Sequence, residues 1–107
     1  TTTCEALWMG VPVVVVEGDR HASRVGASLL RAAGVPELVA RDDDAFVDIA
    51  VRLASDRAAL ESLRRGLRAR VAASPLLDRA AYGARFHAAL RTAWRAWCGG
   101  DATGGRA

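Results

Sequence analysis

The run Pro12-Val13-Val14-Val15-Val16 constrains the fold of this 107-residue chain more than any other feature. Consecutive β-branched side chains are stiff at χ1 and favour extended backbone. The run does not alternate with polar residues, so both faces of the resulting strand are apolar. Such a strand fits a parallel sheet covered by helices on both sides. Gly10 precedes the run, and Glu17-Gly18-Asp19-Arg20 follows it as a loop. In open α/β sheets, ligands bind at the carboxyl edge of the strands, where this loop lies.

The rest of the chain reads as helices. Residues 2–9 predict a short helix, with Gly10 as its stop and Pro12 just beyond. Ser23 caps a second helix over 24–33, with Val25, Leu29 and Leu30 on one face and Gly34 at its end. Residues 35–40 read as a short last strand. Arg41-Asp42-Asp43-Asp44 supplies a turn and an N-cap, placing acid where a helix dipole favours it. A third helix covers 45–54, with Phe46, Ile49, Ala50 and Leu53 on one face. Ser55-Asp56 caps a fourth over 57–73, striped by Leu60, Leu63, Leu67 and Val71 and broken by Ser74-Pro75. Asp78 caps a fifth, to about Trp97, with Tyr82, Phe86, Ala89, Leu90, Ala93 and Trp97 on one broad face. That aromatic end suits a core or an interlobe seam; if nothing covers it, an exposed patch results. Residues 99–107 are Gly-rich and read as a flexible tail after a single module over 1–98. One firm strand and one weaker one make an incomplete sheet, whose other strands are expected upstream or in a partner. The start without Met, inside a motif, points the same way.

Composition excludes several function classes. Net charge is +3 and every basic residue is Arg, so Schiff-base and P-loop chemistry, which need Lys, are absent from this chain. The densest basic stretch, Arg64-Arg65 with Arg68 and Arg70, reads as a solvated helix face rather than a nucleic-acid surface. Aromatic residues make up 6% of the chain, too few for a base-stacking platform. No apolar run approaches the ~20 residues of a membrane span. Cys4 and Cys98 match no zinc or redox spacing, and Cys4 reads as a small buried hydrophobe. This usage fits a reducing, cytoplasmic compartment. Asp42, Asp43 and Asp44 read as caps rather than metal ligands, and no metal site is expected. Ser23, His21 and Asp19 lack the spacing of a hydrolase triad.

The chemistry concentrates at the beginning of the chain, Thr1-Thr2-Thr3-Cys4-Glu5-Ala6-Leu7-Trp8. Hydroxyls and unpaired amides at a helix start make a cradle for phosphate. A carboxylate one turn on accepts hydrogen bonds from a sugar diol. The same residues also suit simple helix capping by Thr1 and Thr2, with Glu5 as a first-turn acid. In the loop after the strand, Arg20 can neutralise phosphate and His21 can donate a hydrogen bond to an oxyanion. Arg24 reads as a packing or ion-pair residue.

Residues 1–14, TTTCEALWMGVPVV, and residues 18–28, GDRHASRVGAS, resemble the carboxyl-terminal end of O-linked N-acetylglucosamine transferases, in particular the bacterial members and the plant SPINDLY-type proteins. Residues 34–40, GVPELVA, and 74–78, SPLLD, share the likeness, which extends to about Trp97.

The resemblance implies an α/β fold: the carboxyl-terminal portion of a Rossmann-like donor-binding lobe in a two-lobed, GT-B type glycosyltransferase, helix-rich and with an incomplete parallel sheet. It implies inverting transfer of a sugar, N-acetylglucosamine, from a UDP- or GDP-linked donor to Ser or Thr hydroxyls of proteins, with no cofactor and no metal. Thr1 and Thr2 match the family's threonines at the donor diphosphate. Glu5 matches the acidic position at the ribose, where animal enzymes have Asp. The family's Lys near the diphosphate has no counterpart here, and its His before the threonines would precede Thr1. The acceptor lobe and the repeats that hold protein acceptors are expected upstream, and no catalytic base is assigned. A non-catalytic remnant or interaction module of the same fold is the alternative.

Overall fold

The computed structural model describes residues 1–99; the expected tail 100–107 lies outside the described residues. It divides into two units, Thr1–Leu77 and Asp78–Ala107. The first contains α1 (Thr2–Trp8), β1 (Val15–Val16), α2 (His21–Ala32), a 3-10 turn (Pro36–Leu38), β2 (Val39–Ala40), α3 (Asp43–Ser55) and α4 (Arg57–Ala72). The second contains α5 (Arg79–Gly99).

β1 and β2 run parallel, with Val15 opposite Val39 and Val16 opposite Ala40. The Glu17 amide extends the pairing by donating to the Ala40 carbonyl at 2.9 Å. The ladder is much shorter than the apolar run predicts. β2, the sole neighbour of β1 among the described residues, limits it. The Pro36 turn bounds β2 on one side, and Asp42, the N-cap of α3, bounds it on the other. The segment expected as a strand over 35–40 is therefore a 3-10 turn followed by a two-residue strand. Val13, Val14, Val15 and Val16 are half-buried rather than enclosed on both faces.

Leu7, Leu30, Ala33, Val35, Leu38, Ala40, Ile49, Leu67 and Val71 form one buried cluster, drawing on every helix of the first unit. Burying each large aliphatic side chain contributes about 1.5–3 kcal/mol. α2 lies close on the sheet because Gly26 has no side chain: a Cβ there would stand 2.9 Å from Val15 Cγ1.

The helix boundaries follow local chemistry. α1 and α2 both end in a left-handed glycine, Gly10 at φ 71° and Gly34 at φ 75°. In α1 the Gly10 amide donates to the Leu7 carbonyl and the Val11 amide to that of Ala6; Gly34 and Val35 repeat the pattern on Arg31 and Leu30. Each pair satisfies carbonyls that the helix end leaves open. Asp42, Asp56 and Asp78 accept from the amides of Ala45, Ala59 and Ala81, as the sequence predicts. The buried Ser74 hydroxyl donates to the Val71 carbonyl at 2.7 Å and closes α4.

Ser23 departs from expectation. α2 starts two residues before it, with Arg20 as N-cap and Ser23 inside the first turn. The Ser23 hydroxyl accepts from the Arg20 amide and donates to the Arg20 carbonyl. A reciprocal contact of this kind reaches back to the N-cap backbone, so the helix gains a turn that a forward-capping Ser would have excluded. Cys4 is half-buried rather than enclosed, and Cys98 is exposed.

In the second unit, α5 buries none of its residues. Tyr82 and Phe86 stack with ring centroids 5.9 Å apart. Leu90, Trp94 and Trp97 are exposed, the last at 79%. Tyr82, Phe86, Leu90 and Trp97, expected on one apolar face of this helix, are exposed. No helix among the described residues is long and apolar enough to cross a membrane.

Candidate donor site

Thr1 is the N-cap of α1, yet its side chain makes no capping hydrogen bond. Thr1, Thr2 and Glu5 are all exposed. Glu5 follows Thr2 by three positions and Thr1 by four, so the three share one helix face. That face lies opposite Leu7, which is fully buried and anchors α1 to the core. The Glu5 carboxylate joins no ion pair among the described residues. Two hydroxyls and one carboxylate are thus displayed together, with no ion pair or side-chain capping bond among the described residues.

Arg20 and His21 are exposed where the loop after β1 becomes α2. The Arg20 guanidinium has no carboxylate partner among the described residues. α1 packs against α2 and α4. In alternating helix–strand order, helix amino ends and strand carboxyl ends meet at one sheet edge. Arg20 and His21 stand at the amino end of α2, just past the carboxyl end of β1, and Thr1, Thr2 and Glu5 stand at the amino end of α1.

The loop joining β1 to α2 is tied down at several points. Both Glu17 carboxylate oxygens accept from Arg31, at 2.7 and 2.6 Å. Arg24 Nε donates to the Gly18 carbonyl at 3.0 Å. Gly18 is needed here, because a Cβ would stand 2.8 Å from Ser23 Cβ. The sequence reading of Arg24 as an ion-pair or packing residue is close, although its partner is a carbonyl. The Glu17–Arg31 pair was not legible in the sequence: fourteen positions separate the two, and only the crossing of α2 over the sheet brings them together.

The hydrogen bonds from Arg31 hold the Glu17 carboxyl below its ordinary value, with the positive charges of Arg31 and Arg24 acting the same way and desolvation opposing them. The same pair raises Arg31. A carboxyl lowered on folding favours the folded state above its unfolded value and loses that contribution as pH falls through the folded one. Thermal stability should therefore decline in a small extra step below pH 4.5. The pair is solvent-accessible, so the step is modest. Melting the parent and Glu17→Gln side by side across this range checks it: the parent should lose more than the variant, and parallel curves would contradict the assignment.

A family model described as glycosyl transferase family 41 matches residues 1–86. The chain belongs to that family. It is 48% identical over 101 residues to a probable UDP-N-acetylglucosamine–peptide N-acetylglucosaminyltransferase SPINDLY of Petunia hybrida, covering 94% of this chain and 11% of that protein. It is 47% identical over 64 residues to a UDP-N-acetylglucosamine–peptide N-acetylglucosaminyltransferase of Caenorhabditis elegans, covering 60% of this chain and 6% of the other. Among solved structures, an O-GlcNAc transferase mutant from Thermobaculum terrenum superposes with a TM-score of 0.82 at 43% identity, over 91% of this chain and 19% of that one. The fold is thus that of a part of a GT-B type glycosyltransferase catalytic domain. As a family 41 chain it spans about a tenth of the length of the curated relatives it matches.

Proposed function

We propose that this chain supplies the donor diphosphate and ribose contacts of an inverting glycosyltransferase that moves N-acetylglucosamine from a UDP-linked donor to Ser or Thr hydroxyls of proteins. Thr1 and Thr2 offer hydroxyls and helix-start amides to the phosphate oxygens. Glu5 accepts hydrogen bonds from the two ribose hydroxyls. Arg20 and His21 approach the diphosphate from the neighbouring loop and offset its charge. In the reaction, the acceptor hydroxyl attacks the anomeric carbon from the face opposite the diphosphate and gives up its proton to a base of the longer enzyme. The bond from that carbon to the diphosphate oxygen breaks, and the leaving group keeps the electron pair. Donors held around the diphosphate stabilise the charge that develops on it, so no metal is required at this step. The acceptor and its binding lobe belong to the longer enzymes of the family.

The observation that supports this reading is the display of Thr1, Thr2 and Glu5 on one exposed face, with side chains that make no capping hydrogen bond or ion pair among the described residues. Calorimetric titration with UDP and GDP tests it. Saturable binding is expected, with UDP favoured. Thr2→Ala and Glu5→Ala should each weaken it about tenfold, the loss of one charge-assisted contact. A folded sample that binds neither nucleotide would leave the chain as a non-catalytic module of the same fold.

A further inference from the structure

Glu17 and Arg31 take no part in the donor contacts proposed above, yet theirs is the closest ion pair among the described residues. We infer that Glu17 and Arg31, with Arg24, are positioning residues that clamp the loop 17–20 in the shape presenting Arg20 and His21 to the donor diphosphate. The inference rests on the donor-site reading and names what pre-organises one side of that site.

Three observations carry it. First, the pair is bidentate, and two parallel bonds between planar groups fix orientation as well as distance. Second, the loop is tied at three of its four residues. Glu17 is held through its carboxylate and through its amide on Ala40, Gly18 through its carbonyl on Arg24, and Arg20 through both backbone groups on Ser23. A loop already ordered before the ligand arrives loses less entropy on binding. Third, the pair has an electrostatic consequence. A bare carboxylate at position 17 would repel a diphosphate bound beside Arg20, and Arg31 and Arg24 cancel that charge.

The third point sets this role apart from plain structural support. Arg31→Ala removes the clamp and also leaves Glu17 uncompensated. Glu17→Gln removes the clamp but takes the repelling charge with it. UDP affinity of the 107-residue chain should therefore fall about tenfold in Arg31→Ala and less in Glu17→Gln, and Arg31→Lys should lie between Arg31→Ala and the parent. Adding Glu17→Gln to Arg31→Ala should restore part of the loss. The urea midpoint should stay close to the parent throughout, because both side chains are accessible to solvent. Amide exchange at residues 18–21, measured without nucleotide, should quicken in Arg31→Ala. Unchanged affinity together with unchanged exchange in Arg31→Ala overturns the inference. A fall in affinity that Glu17→Gln does not relieve overturns its electrostatic part. If the parent binds neither UDP nor GDP, the donor reading fails and the positioning role fails with it. Loss of loop protection in Arg31→Ala would then show that the pair holds the loop for its own sake.

Discussion

Leu67→Ala is expected to abolish cooperative unfolding of the first unit. Leu67 is completely buried in α4 and belongs to the same cluster as Leu7, Leu30 and Leu38. Truncating a buried leucine costs about 2–5 kcal/mol, part lost transfer energy and part cavity. A unit of this size holds about 3–5 kcal/mol in total. The loss and the reserve are therefore comparable. Urea titration followed by circular dichroism should show a cooperative transition for the parent and a drifting baseline for Leu67→Ala. Leu67→Met, which keeps the volume, should cost under about 1.5 kcal/mol and retain the transition. A parent stability well above ~5 kcal/mol, or a sharp transition in Leu67→Ala, would show that the core is larger than this single cluster.

Gly10→Ala is the second large effect. Gly10 sits at φ 71°, where a side chain is strained, and a Cβ would stand 2.8 Å from the Arg64 carbonyl oxygen of α4. The obstructing atom is backbone, so relief requires α1 and α4 to move apart, which loosens the cluster to which Leu7 and Leu67 both belong. Strain and overpacking together should cost about 2–4 kcal/mol. Gly34→Ala is the control: its φ is 75°, but nothing lies within 4 Å of the added carbon. That change should cost only about 1 kcal/mol. The difference between the two urea midpoints isolates the close approach of α4. Equal costs would mean that the contact with Arg64 yields freely. A destabilised Gly10→Ala chain should also bind nucleotide more weakly, since α1 carries Thr1, Thr2 and Glu5.

The helical framework was legible because it depends on signals close in sequence. Asp42, Asp56 and Asp78 each stand just before a run of helical periodicity, and Gly10 and Gly34 just after one. Their chemistry acts within one turn. Ser23 shows the limit of such signals. A serine satisfies a helix start either as the cap or from within the first turn, and the choice depended on Gly18 leaving room for its hydroxyl. The strands were less legible. Pro12-Val13-Val14-Val15-Val16 announces an extended apolar segment, but strand length is a property of two partners, and the Pro36 turn and the Asp42 cap cut the partner short. In the site, the exposed row of Thr1, Thr2 and Glu5 follows from helical spacing alone, whereas the bond between Glu17 and Arg31 does not.

Although the start of α2 at His21 and the exposure of Val25 and Phe46 escaped it, the sequence by itself determined most helix ends and the placing of hydroxyl and carboxylate on one side of α1. Those outcomes depend on torsions and spacings within a few residues. Only the tertiary structure decided the length of the sheet, the approach of α4 to Gly10 and the clamp on the loop after β1. Each of these needs groups brought together from distant positions, and their separation is set by the packing of whole elements around one shared core.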